Sequence, residues 1–190
     1  MIQIPDKTLA SAAQNGTNEF LKVFTDAYLD ALGGNLNAEN MHLLNGNQHT
    51  LLAYRFLSDE VMQGGFVQLI QNGYGGYIFG NPVAKALKIF GAADMAKIIY
   101  KAKEIYDANK EELERETIEE EFTAMYVDFE QFDELEEKFF DIEEEQTDII
   151  AAYVDEHIAE FAEIVWFRTF ILIFLRTYLC YVKIYSTNSR

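Results

Sequence analysis

The stretch TIEEEFTAMYVDFEQFDELEEKFFDIEEEQTD, Thr117 to Asp148, sets carboxylates beside phenylalanines at a density that few solvated surfaces carry. A disordered acidic tail and a folded amphipathic surface are the two structures such a run can form. Acidic tails lack aromatic residues, because nothing in them offsets the entropy lost on ordering. Here the aromatics are present, and at helical spacing. At 100° per residue from Asp128 to Asp141, Phe132, Leu135 and Phe139 fall on one side, while Glu130, Asp133, Glu134, Glu137 and Asp141 fall opposite. From Glu143 to Ile164 the same construction gathers Ile150, Tyr153, Val154, His157, Ile158, Phe161 and Ile164. It leaves Glu145, Asp148, Asp155, Glu156, Glu160 and Glu163 on the other face. The stretch predicts two amphipathic helices with acidic outer stripes.

Some of these acids have a local role. Thr117 with Glu120, Asp128 with Gln131, and Asp141 with Glu144 each fit a capping box. Glu119 to Glu121 and Glu143 to Glu145 would then lie in first turns, where the helix dipole favours anions. The remaining acids of the stripe have almost no Lys or Arg near them. Like charges at i,i+4 cost about 0.2–0.5 kcal/mol per pair, so folding alone does not favour the arrangement.

The charge is local to this region. Residues 1–103 hold 8 acids and 8 bases, residues 104–163 hold 24 acids and 3 bases, and residues 164–190 hold 4 bases and no acid. The net charge of -17 is therefore the property of one segment. A chain of 190 residues, 49% of them hydrophobic, can bury the core of one ordinary domain. The single cysteine, Cys180, has no internal disulfide partner, and Met1 to Leu32 lacks the basic and apolar regions of a signal peptide. A cytoplasmic location is expected.

Outside the acidic segment, turns marked by Gly, Asn and Pro delimit further helices. Glu19 to Leu32 ends at Gly33-Gly34, and His49 to Met62 ends at Gly64-Gly65. Asn81-Pro82 opens a short helix, with Pro at the first helical position, that stops at Gly91. Ala92 to Ala108 presents Met95, Ile98, Ile99, Ala102 and Ile105 on one face. No run alternates well enough to predict a strand. The expected fold class is all-α, several helices around a single core.

Catalytic and ligand motifs are weak. The glycines of GGFVQLIQNGYGGYIFG form neither a P-loop nor a dinucleotide fingerprint. His157 lies on an apolar face, no two histidines share a metal-ligand spacing, and DFEQFDELEE lacks the glycine of a calcium loop. Tyr74, Tyr77, Gln68 and Asn72 are the residues from which a pocket is conceivable, without a nucleophile and base to serve it. No enzyme activity, cofactor or metal is expected. On the residues alone, a merely solvated acidic face and a charged binding face both remain open.

Gly64-Gly65-Phe66-Val67-Gln68 with Asn72, followed by Ala86-Leu87 and Phe90-Gly91-Ala92, resembles the GGFxQ…N signature of the bacterial domain family typified by the neisserial acidic DNA mimic. The resemblance spans roughly Asn37 to Ile164, with Gln63 standing where the family often has Asn. The glycines read as a helix stop with a tight turn, and Gln68 and Asn72 as side chains that hold the following Gly-rich loop. The resemblance implies a helical, homodimeric protein without catalysis. Such a protein occupies the DNA-binding surface of a basic, helix-turn-helix transcription factor, blocks its binding to DNA, and contacts no nucleic acid itself. The partner-binding candidates are Glu130, Asp133, Glu134, Glu137, Asp141, Glu145, Asp148, Asp155, Glu156, Glu160 and Glu163. Helical carboxylates three or four residues apart lie ~5–6 Å from each other on a rigid rail. B-DNA carries one charge per ~1.7 Å of axis, so the rail approximates a phosphate ladder.

Composition switches at Ile164, which suggests a helical domain over 1–164 and an apolar, basic extension over 165–190. Arg168, Arg176 and Lys183 recur every seven or eight residues, too many charges for a good membrane span. Packing on the domain or across a dimer is the favoured reading of this extension. A membrane-associated protein with an acidic cytosolic interaction domain is the alternative.

Overall fold

A computed structural model describes residues 2–166, and among these the chain is built almost wholly of α-helix. A three-residue strand, β1 (Gln3–Pro5), leads into α1 (Asp6–Ala13) and α2 (Thr17–Ala31). Next come α3 (Gly46–Gln71), α4 (Gly75–Phe79), α5 (Val83–Ile89), α6 (Ala93–Leu113) and α7 (Glu119–Asp128). A short 3-10 turn, Glu130–Phe132, precedes α8 (Asp133–Glu156), and α9 (Ile158–Phe161) and β2 (Glu163–Val165) complete the described chain. The expected all-α class and single core are both present. Phe24 and Tyr28 of α2, Leu52 and Leu57 of α3, Phe139, Ile150 and Val154 of α8 and Phe161 of α9 are fully buried in one cluster. Phe66 lies among Phe79, Phe132 and Phe139, with ring centroids 5.4 to 6.5 Å apart, so aromatic packing fixes α3, α4 and α8 against each other.

No local pattern predicts the strands. β1 and β2 pair in parallel, with Gln3 opposite Glu163 and Ile4 opposite Ile164. Three residues are too few for an alternating pattern to emerge, and the pair forms because α9 returns the chain to its start. Ile4 is buried, and the Tyr28 hydroxyl donates to the Phe161 carbonyl at 3.1 Å just before the return.

Helix α3 begins earlier than expected and is kinked rather than ended. The Asn45 side chain accepts the Gln48 N–H at 2.9 Å, and the Gln48 side chain accepts the Asn45 N–H at 2.9 Å, a reciprocal capping box that starts the helix at Gly46. At Gly64 and Gly65 the backbone leaves helical geometry, with Gly65 at φ 74°. That left-handed value is open to glycine at little cost. The break exposes the Phe66 N–H, which donates to a Glu136 oxygen on α8 at 2.7 Å. Tyr126 of α7 donates to the Gly64 carbonyl at 2.8 Å. Gln68 and Asn72 do not hold the following loop: both donate to Glu60, on the preceding half of the helix, at 2.9 and 2.8 Å. The GGFxQ…N residues are thus a braced kink.

The three capping boxes expected in the acidic segment are absent. Thr117 donates instead to Gln71 at 2.8 Å, tying the start of α7 to α3. Asp128 ends α7, and Asp141 lies inside α8, which runs unbroken from Asp133 to Glu156. Helix α6 continues past Ala108 to Leu113, while Pro82 stands at the N-cap of α5 rather than at its first helical position. No helix among the described residues is long and apolar enough to cross a membrane. Residues 167–190 lie outside the described residues, and with them nearly all of the extension expected from residue 165.

Candidate partner-binding face

Helix α8 owes its orientation to a stripe that is apolar at its ends and polar at its centre. Leu135, Phe139, Ile150, Ala151 and Val154 are buried. Between them, buried Gln146 accepts the Met95 N–H at 3.2 Å, which satisfies a free amide in the first turn of α6. Thr147 bonds to the Tyr54 hydroxyl at 2.5 Å and donates to Glu143 at 3.0 Å, and Ser58 donates to the same carboxylate at 2.8 Å. These bonds fix the rotation of α8 against α3 and α6.

The opposite face of α8 follows from that rotation. Asp133, Glu137, Asp141, Glu144, Glu145, Asp148 and Asp155 fall within about 120° of arc, and all are exposed. From Asp133 to Asp155 they span ~33 Å of helix axis. Asp148 accepts from Thr17 at 2.8 Å; the other six make no side-chain hydrogen bond or ion pair with a described residue. Lys138 is the one base on the helix. It pairs with Glu134, and that hydrogen bond, with the ammonium charge behind it, holds the Glu134 carboxyl below the usual range. Asp155 and Glu156 occupy the last turn, where the helix dipole disfavours anions and no basic residue compensates.

The candidates therefore divide. Seven of the eleven, Asp133, Glu134, Glu137, Asp141, Glu145, Asp148 and Asp155, lie along the outer arc of α8, and Glu156 follows at its edge. Glu130 precedes the helix in the 3-10 turn and is exposed. Glu160 and Glu163 are displaced, because α8 stops at Glu156 instead of continuing to Ile164. Glu160, on α9, accepts from Asn47, and Glu163, on β2, accepts from Gln3 at 3.0 Å. Glu144, expected as the partner of a cap that does not form, lies exposed on the same arc.

Glu136 and Glu143 are acids of a different kind. Both are half-buried and bonded to α3, so they brace the fold and are not offered to a partner. Burial pushes the Glu136 carboxyl up; the Phe66 N–H opposes that, and the nearby Asp133 charge adds to it. His157, at the end of α8, stacks on Tyr153 at 4.1 Å and bonds to the Tyr153 carbonyl at 2.9 Å, the partly buried structural role its position implied. The imagined pocket residues are likewise committed: Tyr74 stacks on Phe56 at 4.6 Å, and Tyr77 bonds to His49 at 2.9 Å. Among the described residues no group of three His, Cys, Asp or Glu side chains could hold a metal ion.

Residues 42–157 match the family model described as DMP19-like protein. The chain is 30% identical over 154 residues to the DNA mimic protein DMP19 of Neisseria meningitidis serogroup B (strain ATCC BAA-335 / MC58), an alignment covering 80% of this chain and 92% of that protein. The matched span contains the braced kink and the whole of α8.

Proposed function

This chain belongs to the DMP19-like protein family, and on that premise we propose that it is a DNA mimic. Its carboxylates occupy the DNA-binding surface of a basic, helix-turn-helix transcription factor and keep that factor from DNA. The observation that carries this reading is the outer arc of α8, where exposed acids repeat and one base, Lys138, pairs with Glu134 alone. Its ~33 Å length is close to the one helical turn of DNA, about 34–36 Å, that separates the half-sites of such factors. The rail is rigid because its other face is buried, so its charges need no ordering when the partner docks.

In this reading the protein acts in the cytoplasm, where the factor meets its operator, and as a homodimer whose two-fold symmetry suits a two-fold factor. The eleven candidate carboxylates from Glu130 to Glu163 contribute to the field together with Glu144, with those on α8 making the closest contacts. The relative is named as a mimic and not as an enzyme, and catalysis forms no part of the proposal.

Capture from cell extract tests the reading. Immobilised full-length chain at low salt is expected to retain basic DNA-binding proteins, and both added duplex DNA and raised salt should release them. A retained set without DNA-binding proteins, or one that duplex DNA does not displace, contradicts it.

A further inference from the structure

Between α6 and α8 the surface opens into a groove of about 300 Å³ floored by Ile98, Leu135 and Ile142. Its rim carries Lys97, Lys101 and Lys138, with Asp94 beside them. Three ammonium groups around an apolar floor reverse the local sign of a protein whose net charge is -17. Lys97 pairs with Asp94 at 2.6 Å and Lys138 with Glu134, each within one exposed helix turn, and pairs of this kind hold an ammonium weakly. Lys101 has no carboxylate within salt-bridge distance among the described residues. The volume is at the small end of ligand pockets, suited to one alkyl chain or ring system.

We propose that this groove binds an amphiphilic anion, its acidic head held by Lys101 and Lys138 and its unbranched apolar body laid on Ile98, Leu135 and Ile142. The charge complementarity is specific to the head group: an acid meets the lysine rim, and a cation of equal chain length meets repulsion. Apolar contact alone would not distinguish the two. The site touches the acidic rail only through the Lys138–Glu134 pair, and its test needs no partner protein.

Titration of the full chain with sodium dodecanoate, kept below the range in which it forms micelles, is expected to reveal a saturable site. The double variant Lys101→Glu/Lys138→Glu should lower its affinity by about tenfold or more, while dodecyltrimethylammonium should come to favour that variant. Any uptake of amphiphile by the apolar C-terminal segment is common to parent and variant, so the difference isolates the groove. In the unmutated protein the methyl resonances of Ile98, Leu135 and Ile142 should move on addition of dodecanoate, a readout that does not depend on a variant folding. Equal affinity for dodecanoate in parent and folded variant, or methyl resonances that stay in place, overturns the proposal.

Discussion

Replacing Asp133, Glu137, Asp141, Glu144, Glu145, Asp148 and Asp155 with Asn or Gln is expected to weaken binding of the partner factor at low salt by two orders of magnitude or more. That is about 3 kcal/mol, distributed over seven charges. The loss should shrink as salt is raised, since screening removes from the parent what substitution removes from the variant. Folding should not be the cause. The seven side chains are exposed, and the bonds that orient α8 use Glu136, Glu143, Gln146 and Thr147, all untouched. Several of the replaced acids are three or four residues apart, and each like-charge pair relieved returns about 0.2–0.5 kcal/mol. The variant is therefore expected to melt no lower than the parent, within small losses at Asp133, in a first turn where the dipole favours it, and at Asp148, whose bond from Thr17 becomes a neutral one. Melting temperature and salt-dependent affinity, measured on the same samples, separate charge from structure.

Gly65→Ala is expected to lower stability by about 2–4 kcal/mol, whereas Gly73→Ala should cost only about 1–2. Both glycines have positive φ, 74° and 86°, so each substitution carries the strain of a side chain in the left-handed region. They differ in what surrounds them. A Cβ at Gly73 meets nothing within 4 Å, but one at Gly65 would lie 2.2 Å from a Glu136 oxygen. Glu136 must then withdraw, and the Phe66 N–H loses the carboxylate that satisfies it. Denaturant unfolding of the two variants measures the difference, which is the contribution of the kink brace. Equal losses at the two positions would show that Glu136 is not needed there.

The buried side of the acidic segment was legible in the sequence. Phe132, Leu135, Phe139, Ile150, Val154 and Phe161 are all buried, as their helical period required. Within α8 that inference survives an error in helix boundaries, because no break falls at Asp141 and one period runs from Asp133 to Glu156. The boundaries themselves were misread at Asp141, where a four-residue capping pattern outweighed a stripe that continues from Phe139 through Gln146 to Ile150. A cap signal is local, and in a run so rich in acids it arises by composition alone. Glu136 and Glu143 could have been recognised as braces, since both fall among the buried residues of α8 rather than along the outer arc. The role of Gln68 and Asn72 was not legible. Their common partner, Glu60, lies on the same helix but across a bend whose direction only the three-dimensional packing sets. The strand pair depends on residues 160 positions apart and has no local signature.

Mimicry requires that the protein and DNA compete for one surface. The most direct measurement adds the full chain to the isolated factor bound to its labelled operator, at fixed low salt, and follows both release of the operator and the composition of every complex. The account predicts that the operator is released in full, that raising its concentration shifts the release curve in proportion, and that no species contains factor, operator and this chain together. A stable complex of all three would contradict it.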